Sequence, residues 1–414
     1  MAINVLLGLQ FGDEGKGKMV DCLMEKEKYV TVVRFQGGPN AGHTIENPHG
    51  KFILNQLPSG VFHPTSRNVL GAGMVIDIGK LLTEIAMVQT AGVNLRGRLF
   101  IAREAHIILP THIAIDEHME KHAEQKIGST KRGIGPTYGD KVNRKGMRIG
   151  DLFYADYFQK AQVLGKDHLM RFTISQRKKI KASFDTWLQD VALLRQMQEQ
   201  GLIKIVDSVD FFHNELSKGT PILAEGAQGA LLDINFGTYP FVTSSPTVTG
   251  GVCTGLGVPP TAISKIIGVT KAYATRVGNG PFPTELFDKM GESLQRLGNE
   301  KGATTGRTRR CGWLDIPLLV HAIKLTGTTE LVVTKLDILE QLPYYKICVA
   351  YQKDGERLTS IPFSLEGVEP VYKTYKAGTP FIDVLKQHLH EAGCHIHIKY
   401  VSTGPKREAL TVYA

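Results

Sequence analysis

An apolar run, INVLLGL over residues 3–9, is cut off by Gly12-Asp13-Glu14-Gly15-Lys16-Gly17-Lys18 and then followed by a helical pattern. No other feature constrains the fold so strongly. Strand, glycine-rich loop and helix in this order match the spacing G-x4-G-K, in which backbone N–H groups close round phosphate oxygens and the helix N-terminus adds its dipole. Met19 stands where a Ser or Thr hydroxyl ordinarily reaches Mg²⁺, so a metal at this loop needs another holder. Asp13 and Glu14 sit inside a loop built for polyphosphate and repel it, unless one of them binds Mg²⁺ or acts as a base.

The rest of the chain repeats the alternation of strand-like and helical runs. YVTVVRF, NVLGAGMVID with GKLLTEIAMVQTAG, and LFIAREAHIIL come first, then TPILAEGAQG, SKIIGVTKAYATRVG, TELVVTKLD and HIKYVSTG. This predicts an α/β protein with a large, mostly parallel central sheet, flanking helices and helical insertions. Residues 151–201 read as a helix-rich insertion, since DTWLQDVALLRQMQEQG has the 3.6-residue period and ends at a glycine. Without repeats, low-complexity tracts or a Pro/Ser linker, residues 1–414 are expected to form a single α/β domain.

Composition narrows the partners. The 414 residues carry 49 Lys+Arg and 40 Asp+Glu, a net charge of +9. The basic runs Arg177–Lys181 and Arg307–Arg310 are short and lack interleaved aromatics, so a small anionic substrate fits better than nucleic acid. No window approaches a membrane helix, and the apolar start has no basic flank, so a cytoplasmic location is expected. Five scattered cysteines, never in a CxxC pair, read as free thiols. His118 and His122 form no HExxH, and the histidines of HLHEAGCHIHI lack ligand spacing, so zinc is not expected.

Further loops add chemistry. Gly37-Gly38-Pro39-Asn40-Ala41-Gly42-His43-Thr44 follows a strand and is expected at the same sheet edge as the first loop, where ligands of open α/β sheets bind. His43, between Gly42 and Thr44, has little to pack against, and suits a residue that protonates or stabilises a reacting oxygen. Thr334-Lys335-Leu336-Asp337 after ELVV is how guanine is read: the carboxylate accepts from N1–H and the exocyclic amine, and the lysine stem lies along the base. Adenine lacks both donors and would leave that carboxylate unpaired. Ser402-Thr403-Gly404 can close over the base. Gly302 to Arg310 carries three arginines and three threonines, the makings of a loop that clamps a carboxylate-bearing substrate. The loops Ser129–Pro136 and Glu225–Gly229 look suited to a phosphate and a base edge.

Taken together, QFGDEGKGK, NAGHT, GIGPTYGDK, EGAQGALLDINFGTYPFVTSS, TTGRTRRCGWLD, TKLD and STGP resemble the adenylosuccinate synthetase family, in the family's order and over nearly the whole chain. Two positions depart from its pattern: Phe11 replaces the usual Trp, and Gly139 the usual acidic residue. The resemblance implies a GTP-dependent ligase acting by way of 6-phosphoryl-IMP. It would form adenylosuccinate from IMP and L-aspartate, release GDP and phosphate, and perform the first committed step of AMP synthesis from IMP.

By the same motif matching, Asp13, His43 and Lys16 are the catalytic residues. Asp13 would take the N1 proton of IMP, His43 would act as the acid, and Lys16 would neutralise phosphoryl oxygens. One Mg²⁺ per subunit is expected on Asp13 and the Gly42 carbonyl. GTP would contact Gly12, Asp13, Glu14, Gly15, Lys16, Gly17, Lys18, Gly42, His43, Thr44, Arg309, Lys335, Leu336, Asp337, Ser402, Thr403 and Gly404. IMP would contact Asp13, Lys16, Asn40, Ala41, Gly42, His43, Thr130, Gln228, Thr243 and Arg307, with Arg144 supplied across a homodimer interface. Aspartate would fall to Ala303, Thr304, Thr305, Gly306, Arg307, Thr308 and Arg309. Two other readings stay open. One is a relative of the family that uses dGMP, though it typically lacks the carboxylate at Asp13. The other is a regulatory GTPase, against which Met19 and the lack of a compact DxxG switch both weigh.

Overall fold

The computed structural model of the chain describes residues 3–302 and 306–413. Its centre is a ten-stranded sheet, formed in chain order by β1 (Ile3–Gly8), β2 (Thr31–Arg34), β3 (Arg67–Leu70), β4 (Leu99–Ala102), β5 (Ile203–Val206), β6 (Ile222–Glu225), β7 (Ile263–Lys271), β8 (Glu330–Thr334), β9 (His397–Ser402) and β10 (Leu410–Val412). Across the sheet the order is β10-β9-β8-β7-β1-β6-β2-β3-β4-β5. Every pairing is parallel except β9 with the edge strand β10. Because its neighbours run the same way, the carboxyl ends of nine strands share one edge.

The strand sequences explain this arrangement. β1 is apolar on both faces, as a strand covered on both sides by helices must be. Leu6 packs with Met19, Leu23 and Val269 on one face, whereas Ile3, Val5 and Leu7 pack with Phe35, Phe212 and Val252 on the other. Helix α1 (Lys16–Lys26) follows β1 directly and buries Met19, Val20 and Leu23 against the first of these faces. Met19 is therefore a core side chain.

Helices α2 (Ile78–Thr90), α3 (Pro110–His122), α4 (Ile134–Val142), α5 (Tyr157–Leu169) and α6 (Ile174–Glu199) come next in the chain. The last four fill the crossover between β4 and β5, so helices run through this stretch from residue 110 to residue 199. The 26-residue α6 starts at a Thr173 capping box with Gln176 and packs Trp187, Val191 and Leu194 into the core. Gly201, at φ 70°, sits just past its end, where left-handed backbone suits glycine. No helix of the described residues is long and apolar enough to cross a membrane. All five cysteines are free.

Candidate active site

Loops leaving β1, β2, β6, β7, β8 and β9 at that shared edge enclose a cleft of about 1550 Å³. The chain order reverses around β1, and such a switch point is where open α/β sheets place ligands. The cleft is lined by Gly12 to Lys18, Asn40 to Thr44, Thr130, Gln228, Thr243, Arg307, Arg309, Lys335, Asp337, Ser402 and Gly404. Residues more than 380 positions apart in sequence thus meet in one cavity.

The phosphate loop is held open by its backbone. Gly12, Asp13 and Gly15 adopt φ of 88°, 63° and 93°, so a non-glycine residue is kept in the left-handed region at the centre of the loop. Glu14 turns inward: its carboxylate accepts from the Gly12 N–H at 2.8 Å, from the Gln10 N–H at 3.2 Å and from Lys16 Nζ at 2.5 Å. Asp13 stays on the cleft side, where its Oδ2 accepts from Arg309 Nε at 2.7 Å. The two carboxylates are thus separated in role, one building the loop and one facing the cavity. Gly17 lets the next element approach, since a Cβ there would lie 2.8 Å from the His43 Cβ.

His43 opens a hairpin strand, His43–Asn47. Its Nδ1 bonds the Glu225 carboxylate, which also accepts from the Ser59 N–H at 2.8 Å and the Ser59 hydroxyl at 2.5 Å. Glu225 is wholly buried at the end of β6. Burial alone would raise its carboxyl, but His43 and then Arg34 hold it below the usual range. Burial lowers His43, against the pull of Glu225. The Glu225–Gly229 turn therefore divides: Glu225 orients the histidine from behind, and only Gln228 reaches the cleft.

At the opposite end, Lys335 has φ 63° and donates to the Gly298 carbonyl at 2.8 Å, which turns Asp337 into the cavity. Lys18 Nζ bonds Ser402 Oγ at 2.6 Å and the Gly404 carbonyl at 2.5 Å, tying the phosphate loop to the β9 turn. Leu336 is buried in the core, and Thr403 supports the turn through an N–H bond to Ala409 O, so neither lines the cleft. Gly306 and Thr308 are exposed outside it, and Ala303, Thr304 and Thr305 lie outside the described residues. Arg144, exposed after α4 with φ 61°, does not itself line the cavity, although Asn143 and Lys145 on either side of it do.

Four buried polar atoms lack any protein partner and belong to residues lining the cleft: His43 Nε2, Gln228 Oε1 and Nε2, and Asp337 Oδ1. Each costs about 1–3 kcal/mol of desolvation if left unmatched. A ligand offering a phosphoryl oxygen and purine edges would satisfy them.

Two groups carried no sequence signal. Glu300, Lys271 and Tyr273 form a buried charged network behind Arg309, legible only once β7 and the arginine loop are side by side. His112, Asp140 and His168 meet with His Nε2 to Asp140 Oδ2 distances of 2.9 and 3.0 Å. The Leu109 N–H donates to His112 Nδ1, which leaves the proton on Nε2, so this histidine is a donor to Asp140. The trio ties α3, α4 and α5 together. The departures from the family pattern are also accommodated: Phe11 packs edge-on to Phe282 and beneath Arg276, 4.4 Å from the ring centre, and a side chain at Gly139 would meet open space.

Fold and cleft define an α/β nucleotide-binding enzyme with a phosphate loop, a histidine held by a carboxylate, and a strand end that presents Lys335 and Asp337 to the cavity. The adenylosuccinate synthetase family model matches residues 5–411. The chain is 46% identical to the adenylosuccinate synthetase of Christiangramia forsetii, covering 99% of each, and 42% identical to that of Bacteroides fragilis, covering 100% of this chain and 99% of the relative. It superposes on the fully ligated adenylosuccinate synthetase from Plasmodium falciparum with a TM-score of 0.88 at 35% identity, covering 100% of both. The chain belongs to the adenylosuccinate synthetase family, ligases that make adenylosuccinate from IMP and L-aspartate with GTP as co-substrate, in AMP biosynthesis. A cyanophage succinoaminodeoxyadenylate synthetase bound to dGMP and dATP shares the fold at 20% identity and a TM-score of 0.68. That likeness extends to the fold alone and does not favour dGMP as substrate.

Proposed function

We propose that Asp13, His43 and Lys16 carry the family reaction in this chain. The reading rests on one observation: an aspartate inside a phosphate loop, directed into the cleft and held there by Arg309. With IMP beside it, the Asp13 carboxylate takes the proton from N1, and O6 becomes nucleophilic towards the γ-phosphorus of GTP. O6 then bonds that phosphorus as the bond to the GDP oxygen breaks. The neutral aspartate amine next attacks C6, phosphate leaves with the C6–O6 bonding pair, and the departing phosphate oxygen takes up the proton that the nitrogen sheds. Phosphorylation is needed because an unmodified keto oxygen is a poor leaving group.

His43 suits the acid role because Glu225 fixes Nδ1 and leaves Nε2 for a phosphoryl oxygen. An incoming anion supplies the charge that restores the protonated ring against burial. Asn40, Ala41, Thr130, Gln228, Thr243 and Arg307 are the proposed IMP contacts, and the loop through Arg307 and Arg309 the aspartate clamp. Lys335, Asp337, Ser402 and Gly404 would hold guanine. The oxygen donors of the cleft, the Asp13 carboxylate and the Gly42 carbonyl, suit Mg²⁺, and Met19 offers no competing hydroxyl. Bound there, Mg²⁺ would neutralise phosphate charge.

Arg144 would reach the IMP phosphate of a second copy in a homodimer. Its exposed setting beside Val142, which is 79% exposed, supports that reading. A single domain and a cytoplasmic setting complete the proposal. The test is substrate dependence: phosphate release from GTP is expected only with IMP and L-aspartate both present. Comparable release from GTP alone would favour a regulatory GTPase, and amination of dGMP but not IMP would favour the dGMP-using relative.

A further inference from the structure

Glu300 has no part in the chemistry above, yet it is the most heavily charged-paired group near the cleft. It is 1% exposed. Its carboxylate accepts from Arg309 NH1 at 2.6 Å, from Tyr273 OH at 2.6 Å and from Lys271 Nζ at 3.1 Å, and Lys335 Nζ lies 3.9 Å away. Burial would raise this carboxyl, but Lys271, Arg309 and Lys335 together hold it down at about 2. One buried anion thus faces three cations that come from three separate segments. Two of those cations belong to different substrate regions: Lys335 to the guanine-reading turn, and Arg309 to the arginine loop that also holds Asp13 at 2.7 Å.

Accepting the residue roles given under the proposed function, we propose that Glu300 is a positioning residue that couples the guanine end of the cleft to the aspartate end. A carboxylate bonded to Arg309 and 3.9 Å from Lys335 attracts both cations and so links their positions. Guanine that orders Lys335 therefore sets Arg309 for the aspartate carboxylate, and aspartate binding strengthens GTP binding by the same factor. The shared carboxylate also keeps Arg309 near Asp13, so that the arginine stays within reach when Asp13 turns to the purine. Nothing in the sequence around Gly298-Asn299-Glu300 announces this, because the partners arrive from β7, β8 and the arginine loop.

Glu300→Gln keeps the shape of the side chain and removes its charge. KM for aspartate is expected to rise about tenfold while kcat changes less than about threefold, the split that loss of coupling gives. Lys335→Ala is expected to raise KM for both GTP and aspartate in the parent, but only KM for GTP when Glu300→Gln is already present. An unchanged KM for aspartate in Glu300→Gln, or effects of the two substitutions that simply multiply, overturns the proposal. If thermal melting shows Glu300→Gln unfolded, Glu300→Asp takes its place under the same criteria, since it draws the carboxylate back by one methylene from Arg309 and Lys335. A parent protein that makes no adenylosuccinate from the three substrates sinks the functional reading, whereas normal parent turnover without the split sinks only the role of Glu300.

Discussion

Asp13 and Glu14 are neighbours with the same functional group and opposite environments. Glu14 is buried and neutralised by Lys16, whereas Asp13 keeps 26% of its side chain exposed and is met by Arg309. The left-handed backbone at Asp13 is what aims the pair apart. Asp13→Ala is expected to abolish adenylosuccinate formation while leaving the fold intact and GTP still bound. Stopped turnover with near-normal GTP binding by calorimetry would support the base role, and near-normal kcat would refute it. The carboxylate inside the loop was legible in the sequence because glycines at residues 12, 15 and 17 fix its setting. Its partner was not, since Arg309 lies almost three hundred residues away and no local pattern links them.

At the scale of elements, strands and helices followed from periodicity, and the loops at the ends of the first two strands were placed at one sheet edge because parallel strands put them there. What periodicity could not show was how closely elements approach. Helix α1 and the His43 hairpin touch only because Gly17 has no side chain. Gly17→Ala is expected to push the hairpin outward, loosening the His43–Glu225 pair, and to lower kcat by about 10²-fold or more, as loss of a placed general acid does. A folded variant with parental kcat would show that the close approach is dispensable. Leu336 gives the opposite lesson: it lies inside the Thr334–Asp337 motif, yet the short helix after β8 turns it into the core, where an apolar side chain gains most.

Over the whole molecule, charge and assembly become testable. Asp315 caps the helix Ile316–Thr326 and accepts from Tyr351 OH, and its burial raises it to about 7 despite these bonds. The folded protein therefore holds this proton more tightly than the unfolded chain, and stability from this group falls as pH rises from about 4 to about 7. Melting temperatures across that window are expected to slope less in Asp315→Asn; an unchanged slope would exclude Asp315 as its source. Arg144→Ala and Asp13→Ala subunits, each inactive, are expected to regain activity when mixed, because a hybrid pair contains one intact site. Absence of recovery in a demonstrated mixed dimer would rule out a shared site. Finally, the strand carrying the phosphate loop is paired on both sides by β6 and β7, which are encoded far downstream. During translation it leaves the ribosome long before either neighbour exists, so the nascent chain must shelter this apolar strand without its native partners, and the phosphate loop is assembled late.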